Sequence, residues 1–507
     1  MSQLKSPTLK LVRAFVLLFL ATCIASCSQG TGVSQVAGAR AFQTTQRPGA
    51  VPIAHIVIVI QENRSFDDLF GTFPNVNGAT QGLLKTASGD IYVPLQEVSL
   101  KEACDFSHGY HGFLKNYDAG KMDGFGISPG NCHGNTTAAY QYVDPTAIAP
   151  YWQIAQDYVI GDNMFQTQGS GSFTAHQDLI AGATLLNPHK TKSIVDVPDS
   201  TPWGCDAPPG TVTDLLHKVY AGLIYEHRKG PFPCLSYATL RDLLDAKQVS
   251  WKYYTPPVVG GEGALWNAFD EINAVRYGPE WNTNVIVPET QIFNDITGGQ
   301  LAAVSWVVPN RQNSDHPAGP GGDDGPAWVA SIVNAIGESS YWPNTAIVIL
   351  WDDWGGFYDH VPPPFFDNWG GLGFRVPLLV VSPYAREASG GKPGYISHTQ
   401  YEFGSVLKFV EQTFGLGSLG TTDARATSIG DCFDFTSPPH AFQAIPSSRS
   451  AAYFLHERPV NEPVDTEQPS SVKRRIVSTA FAASMRLLPA TASASARRAD
   501  DDARRLR

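Results

Sequence analysis

No surplus of positive charge runs through this chain of 507 residues: 36 Lys and Arg stand against 47 Asp and Glu, for a formal net charge of −11. Because nucleic-acid binding depends on a basic face, we expect no nucleic-acid partner. Cysteine is scarce, with 7 residues and no CxxC pair, so we expect neither a disulfide-dense scaffold nor a thiolate zinc site. Hydrophobic residues make up 43% of the chain, which excludes a disordered class and suffices for one large α/β domain or two smaller ones.

The first 26 residues have the pattern of a secretion leader. Three cations precede an apolar run over 14–25, which is too short for a comfortable membrane span. The run ends in the letters IASC at Cys27, which resemble the lipobox of bacterial lipoproteins and imply cleavage before Cys27 and lipid on its thiol. Ser28, where Asp would favour inner-membrane retention, favours the outer membrane. We therefore expect an exported envelope lipoprotein that faces the periplasm or the cell surface, with an ordinary secretory signal as the alternative.

Composition divides the rest of the chain into three parts. It predicts a flexible tether at 27–51, a folded body at 52–445 and a disordered tail, Pro-rich and then Arg- and Ala-rich, at 446–507. Five cysteines follow Cys27, and export permits disulfides among them, although spacing alone does not decide their connectivity. The pairings that close short loops are Cys104–Cys132 and Cys205–Cys234. They leave Cys432 free.

Apolar, β-branched runs alternate with helical patterns through the body. Buried strands are predicted at 56–60, 302–308, 346–351 and 377–382. Helical spacing occurs at 329–336 and 403–414, and the segment from Thr399 to Glu402 has the pattern of a capping box for the second helix. This alternation predicts an α/β fold with a mainly parallel sheet and helices on both faces, in which ligands bind at the carboxyl ends of the strands.

Carboxylates follow two of the predicted strands. The strand at 56–60 leads into Glu62 and Asn63, and the strand at 346–351 leads into Asp352 and Asp353. Each segment alone has a plain interpretation, which is a turn or N-cap for the first and a solvated turn for the second. Together they predict a divalent metal site, because carboxylate and amide oxygens are hard ligands and adjacent carboxylates need a compensating charge.

A loop rich in Gly and Ser, Gln168 to His176, lies between these segments along the chain. Glycines around a hydroxyl suit an exposed nucleophile, although an ordinary Gly-Ser loop has the same composition. Histidines also recur, and His316 and His360 each follow an Asp. Such a pair can set the tautomer and the basicity of a histidine.

Longer motifs are spread over 52–416. The most specific are ENRSFD, which starts at Glu62, and WDDWGGFYDHV, which starts at Trp351. Others are GKMDGF, SDHP, FRVPLLVVSPYA and SHTQYEFGSVLKFVEQTFGL. Together these motifs resemble the bacterial phosphoesterase family, which contains phosphatidylcholine-type phospholipases C and periplasmic acid phosphatases. The resemblance implies an alkaline-phosphatase-like α/β fold, one divalent metal ion, and a phosphate ester or phospholipid as substrate.

The resemblance also implies roles for individual residues. Ser172 would be the nucleophile, with Ser170 as the second candidate because Gly171 stands where the family often has Pro. One divalent ion (Mg²⁺, Ca²⁺, Mn²⁺ or Zn²⁺) would be bound by Glu62, Asn63, Asp352 and Asp353. The histidines would line the phosphate site, with catalytic roles for His108 and His316, and with substrate-binding roles for His176 and His360 beside Asn63.

The predicted function is a metal-dependent phosphoric ester hydrolase with a serine nucleophile, of the phospholipase C or acid phosphatase type. The long C-terminal extension of many phospholipase C members and a twin-arginine leader do not occur here, which favours a smaller, phosphatase-like enzyme. The alternative is a catalytically inactive surface lipoprotein that binds phosphorylated ligands. The intact metal-binding set argues against that alternative.

Overall fold

The fold is described from a computed structural model. It covers residues 51–101, 104–127, 134–187, 189–219, 222–259, 262–317, 324–364, 371–458 and 475–477. The leader, Cys27, all of the tether except Val51, Cys132 and most of the predicted tail lie outside the described residues.

Strands and helices alternate along the described chain. The strands are β1 (His55–Gln61), β2 (Gln81–Thr86), β3 (Gly89–Pro94), β4 (Gln96–Val98), β5 (Gln141–Val143), β6 (Val159–Gly161), β7 (Met164–Phe165), β8 (Lys192–Val195), β9 (Asp214–Val219), β10 (Gly222–Glu226), β11 (Trp251–Tyr254), β12 (Val285–Ile286), β13 (Val304–Val307), β14 (Thr345–Trp351), β15 (Leu378–Val381), β16 (Tyr395–Ser397), β17 (Tyr401–Glu402) and β18 (Arg475–Val477). The helices are α1 (Phe66–Phe70), α2 (Tyr110–Tyr117), α3 (Ala149–Asp157), α4 (Ser172–Ala181), α5 (Leu240–Ala246), α6 (Asn273–Arg276), α7 (Glu280–Thr283), α8 (Gln291–Thr297), α9 (Gly325–Gly337), α10 (Phe403–Phe414), α11 (Thr422–Arg425) and α12 (Ala451–His456).

The main sheet has the strand order β12-β11-β13-β1-β14-β15-β6-β16. Neighbouring strands run parallel except at β15, which is antiparallel to both β14 and β6. Every residue of β14 is buried, as are the last six of β1, and such continuous apolar strands are typical of a sheet that is covered on both faces. Buried side chains of α3, α4, α8, α9 and α10 join the strands in one hydrophobic core. The predicted α/β fold with a mainly parallel sheet is confirmed.

The predicted elements are confirmed with small shifts of their ends, and one cap is corrected. The four predicted strands correspond to β1, β13, β14 and β15, and the two predicted helices to α9 and α10. The predicted capping box at Thr399 is wrong, because the chain stays extended through β17, which pairs with β7. Glu402 is the N-cap of α10 instead, and it forms the capping box with Ser405.

The ordered body also extends past the predicted boundary at residue 445. Helix α12 packs its buried Phe454 edge-on against Trp328 of α9, with ring centroids 5.2 Å apart. Glu457 Oε2 accepts a hydrogen bond of 2.7 Å from Asn313 Nδ2. Residues 446–458 therefore belong to the folded body, since they contribute to its core and to its polar contacts.

Cysteine pairing agrees with the short-loop prediction wherever the structure describes it. Cys205 and Cys234 form a disulfide, and Cys432 is free and buried. Cys104 is disulfide-bonded, and its predicted partner lies outside the described residues. Among the described residues, no helix combines the length and the hydropathy that crossing a bilayer requires.

Candidate active site

Two neighbouring parallel strands deliver the predicted carboxylates to one place. Gln61 of β1 is in register with Trp351 of β14, so the residues after them leave the sheet side by side. The segments after the strands are also linked, because Asn63 N donates to Asp352 Oδ1 over 2.8 Å. Glu62, Asn63, Asp352 and Asp353 are fully buried. Sequence separation of 289 residues is thus bridged by the strand pairing.

A histidine of α4 completes this acidic group. His176 Nε2 lies 3.0 Å from Glu62 Oε1 and 3.9 Å from Asp352 Oδ2. One ligand atom from each of the three side chains lies within 4.8 Å of the other two. Asp352 Oδ2 is buried and has no hydrogen-bond partner among the described residues. Two carboxylates and an imidazole at these distances fit a single divalent cation, which would offset the buried negative charge.

Ser172 is the first residue of α4 and lies against the same group. Its Oγ is 3.2 Å from Asp353 Oδ2 and 3.4 Å from Asn63 Oδ1. The other oxygen of Asp353 accepts from Gly355 N over 2.6 Å, which fixes the carboxylate. Gly355 has a φ of 61°, and a Cβ there would lie 2.2 Å from Asn63 O. Only glycine suits this close approach of the two strand-end segments.

Ser170 has a different neighbourhood. Its Oγ accepts a hydrogen bond of 2.8 Å from Asp196 N and lies 3.5 Å from Asp196 Oδ1. It is as deeply buried as Ser172. Ser172 therefore lies beside the acidic group, whereas Ser170 contacts the residue that follows β8.

Of two further predicted histidines, His108 contacts the site, and His316 packs against a tryptophan. His108 Nε2 is 3.1 Å from Asn63 Nδ2, and its Nδ1 is 2.7 Å from Phe106 O. His316 packs its ring on Trp266, with centroids 5.8 Å apart, and its Nδ1 is 3.0 Å from Pro317 O. His108 is thus linked to Ser172 through Asn63.

The two Asp-His dipeptides have different surroundings. The carboxyl group of Asp315 accepts from Tyr151 OH and Trp351 Nε1, and burial raises its pKa to about 7. His360 Nδ1 lies 2.7 Å from Asp67 Oδ2. His360 is thus hydrogen-bonded to Asp67, while a carboxylate oxygen of Asp359 lies within 4.8 Å of a ring nitrogen of His360.

His360 therefore belongs to a second group, together with Asp67 and Asp359. Arg375 is fully buried and forms ion pairs of 3.1 Å with Asp67 and 3.0 Å with Asp359, which balances their charge. His360 Nε2 lies 3.2 Å from Asn77 Oδ1. Burial lowers the pKa of His360, but Asp67 and Asp359 outweigh this effect and raise it overall.

His176 contacts the acidic group as well. In addition to the phosphate contact that the resemblance implies, the structure brings its ring to Glu62 and Asp352. The sequence signal for this contact is the spacing of four residues between Ser172 and His176, because residues i and i+4 share one face of a helix.

Comparison with known proteins identifies a family and several relatives. Residues 53–417 match the model of the Phosphoesterase family. A relative named phospholipase C B, from Mycobacterium tuberculosis, is 25% identical over 76% of this chain and 79% of its own. A non-hemolytic phospholipase C from Pseudomonas aeruginosa is 24% identical over 87% of this chain and 66% of its own. A solved structure from the alkaline phosphatase superfamily, from Vibrio parahaemolyticus, aligns with a TM-score of 0.34 at 10% identity, over 75% of this chain and 72% of its own. Since the family match spans more than half of the chain, the protein belongs to the Phosphoesterase family and is a hydrolase that acts on phosphoric ester bonds.

Proposed function

We propose that the protein is a metal-dependent hydrolase of phosphate esters or phospholipids, in which Ser172 is the nucleophile. The observation that carries this proposal is the contact of Ser172 Oγ with Asp353 Oδ2 and Asn63 Oδ1, beside the buried acidic group. A hydroxyl at the first position of a helix is also favourable, because the amide groups of the first turn attract phosphate oxygens. The names of the relatives, phospholipases C, support a phospholipid as one substrate class.

The residues present fit a divalent metal ion. Asp352 Oδ2 is a buried acceptor without a hydrogen bond among the described residues, and Glu62 Oε1 lies on the same side of His176. We assign the metal to Glu62, Asn63, Asp352 and Asp353 and add His176 to this set. The oxygen ligands suit Mg²⁺, Ca²⁺ or Mn²⁺, and the imidazole admits Zn²⁺. When bound, the cation would offset phosphate charge and lower the pKa of the serine hydroxyl.

The chain's own groups then account for both halves of the reaction. Ser172 Oγ attacks phosphorus in line with the leaving oxygen and gives up its proton toward Asp353 Oδ2, its neighbour at 3.2 Å. The bond from phosphorus to the leaving oxygen breaks, and His108 is assigned to donate a proton to that oxygen. Water then gives a proton to His108 and attacks phosphorus, the bond between phosphorus and Ser172 Oγ breaks, and Asp353 returns the proton to the serine.

The other two histidines take smaller parts in this proposal. His316 is held against Trp266, and we assign it to hydrogen-bond a phosphate oxygen. His360 receives no substrate contact, because its ring is engaged by Asp67 and Asn77.

We also propose that the mature protein is exported and attached to the membrane by lipid on Cys27, which lies outside the described residues. The disulfide between Cys205 and Cys234 supports export, since such bonds persist in oxidising compartments.

The test compares Ser172→Ala with Ser170→Ala in the full-length protein. Ser172→Ala should lower turnover of p-nitrophenyl phosphate and of its phosphocholine analogue by several orders of magnitude, and Ser170→Ala by no more than about a hundred-fold. Acid quenching during turnover of ³²P-labelled ester should leave label on Ser172 alone. Activity should vanish on chelation and return with added metal. Label on Ser170, or unchanged turnover in Ser172→Ala, would reverse the assignment, and absence of any turnover by the wild type would favour the ligand-binding alternative.

A further inference from the structure

A buried carboxylate outside the acidic group touches both segments that carry the proposed catalytic residues. Asp196 follows β8 and is 2% exposed. On one side, its backbone N–H donates to Ser170 Oγ over 2.8 Å, two residues before Ser172. On the other side, Asp196 Oδ1 accepts a hydrogen bond from Tyr110 N, two residues after His108. Asp196 therefore lies between the nucleophile loop and the start of α2, and its Oδ1, which accepts from Tyr110 N, also lies 3.5 Å from Ser170 Oγ.

These contacts close a ring of side chains around the proposed reaction centre. Ser172 Oγ meets Asn63 Oδ1 at 3.4 Å, and Asn63 Nδ2 meets His108 Nε2 at 3.1 Å. The backbone leads from His108 to Tyr110, then across Asp196 to Ser170, and back to Ser172. Asp196 adds a polar link to the packing of Phe113 of α2 on Gly169 of the nucleophile loop.

The surroundings of Asp196 keep it in one position. Its Oδ2 lies 3.2 Å from Tyr225 OH, which donates to Asp214. Gly109 precedes α2 with an ordinary φ of −70°, so the shape of the contact rather than the backbone angle favours glycine there. A Cβ on Gly109 would lie 2.9 Å from Asp196 Oδ1. The carboxylate is thus packed directly against the N-terminus of α2.

We propose that Asp196 is a positioning residue that sets the separation of Ser172 and His108. The inference rests on the proposed function, because it needs these two residues to react with the same substrate. A carboxylate at the N-terminus of α2 also caps the helix and favours its orientation. Displacement of one reacting group by about 1 Å can cost about a hundred-fold in rate, so loss of the link should act on turnover more than on binding.

The test measures kcat and KM for p-nitrophenyl phosphate in three variants of the full-length protein. Asp196→Ala should lower kcat about 10- to 100-fold with KM changed less than about three-fold. Asp196→Asn, which keeps an acceptor oxygen for Tyr110 N, should recover most of the lost kcat. Asp214→Ala is the matched control, because Asp214 is equally buried in the same network and contacts Tyr225 and His227 instead of the two catalytic segments. It should lose thermal stability and keep kcat.

Gly109→Ala tests the same link from the other side and does not remove a buried charge. Its methyl group would push on Asp196, so kcat should fall several-fold at unchanged KM even if Asp196→Ala does not fold. Equal losses of kcat in Asp196→Ala and Asp214→Ala, or an unchanged kcat in Gly109→Ala, would overturn the proposal. Ser172→Ala is measured in parallel. If it stays active, the proposed function fails, and if it is inactive while the Asp196 and Asp214 variants behave alike, only the positioning role fails.

Discussion

The two carboxylate oxygens of Asp352 have different partners, so a substitution at this residue can test the metal site without disturbing the backbone contacts. Oδ1 accepts from Asn63 N over 2.8 Å and from Asp353 N over 2.7 Å, whereas Oδ2 faces His176. In Asp352→Asn, the amide oxygen can keep both backbone contacts while one negative charge is lost. We expect the fold to persist and metal binding to weaken strongly.

Melting curves with and without Mg²⁺, Mn²⁺ or Zn²⁺ measure this effect, together with metal content by mass spectrometry. Metal at a hundred-fold excess over Kd should stabilise the wild type by about 2.7 kcal/mol, and Asp352→Asn should lose most of that gain. The metal-free variant should melt no lower than the metal-free wild type, because one of several buried carboxylates has become neutral. Asp90→Asn, an exposed site on β3, is the control. A full metal-induced shift in Asp352→Asn would contradict the assignment.

Site residues were predictable where a strand delivers them and not where an irregular segment does. Glu62 and Asp352 follow buried strands, and strand ends meet at one edge of a parallel sheet. The partner of His360 could not be predicted, because Asp67 is 293 residues away and no periodicity links them. Asp196 was missed for the same reason, since its contact with Ser170 depends on how two loops pack.

Helix α10 shows the same limit for local signals. Its buried stripe and its length were predictable from spacing, because apolar positions three and four apart share one face. Its true start was not, since the pairing of β17 with β7 keeps the chain extended up to Glu402. Helix α12 was not predicted, because polar residues and prolines surround it in the sequence. Its single buried residue, Phe454, packs it against α9.

In the last turn of α10, ionisation of Glu411 lowers the stability of the fold as the pH rises. Burial raises the pKa of Glu411 to about 7, and the nearby Asp423 adds to the rise, while Leu419 N donates to Glu411 Oε1 and lowers it in part. The folded state therefore disfavours the carboxylate, and a negative charge at a helix C-terminus is unfavourable as well. This penalty is absent below about pH 4.5, grows as the pH rises and is complete above about pH 7.

Glu411→Gln should consequently raise the melting temperature at pH 8 and leave it nearly unchanged at pH 4.5. The amide keeps an acceptor for Leu419 N and never ionises, so only the charge is removed. Melting curves of both proteins across this pH range provide the measurement. Glu338→Gln, an exposed acid at the end of α9, is the control and should show no comparable pH-dependent gain. If Glu411→Gln instead melts below the wild type at pH 8 and level with it at pH 4.5, the ionised carboxylate stabilises the fold and the prediction is wrong.

The body from β1 to α12 holds the proposed catalytic groups, and we propose that the leader determines the compartment in which they act. A phospholipid substrate lies in a bilayer, so an enzyme tethered at Cys27 would meet it at a high local concentration. A single acyl chain binds membranes only marginally, so stable attachment requires more than one chain on the processed cysteine. The predicted tether at 27–51 would set how far the active site reaches from the surface.

Cys27→Ala should therefore move the protein from the membrane fraction to the periplasm or the medium, with its activity on p-nitrophenyl phosphate intact. Its activity on phosphatidylcholine in cell envelopes should fall further than its activity on a short-chain soluble analogue, because only the former depends on co-localisation with the bilayer. Cys23→Ala changes a cysteine four positions earlier in the leader and should leave both fractionation and activity as in the wild type. Fractionation after a carbonate wash and metabolic labelling with a radioactive fatty acid give the readouts. If Cys27→Ala still fractionates fully with membranes, or if it still incorporates label, the lipid is not attached at this thiol and export proceeds through an ordinary secretory signal.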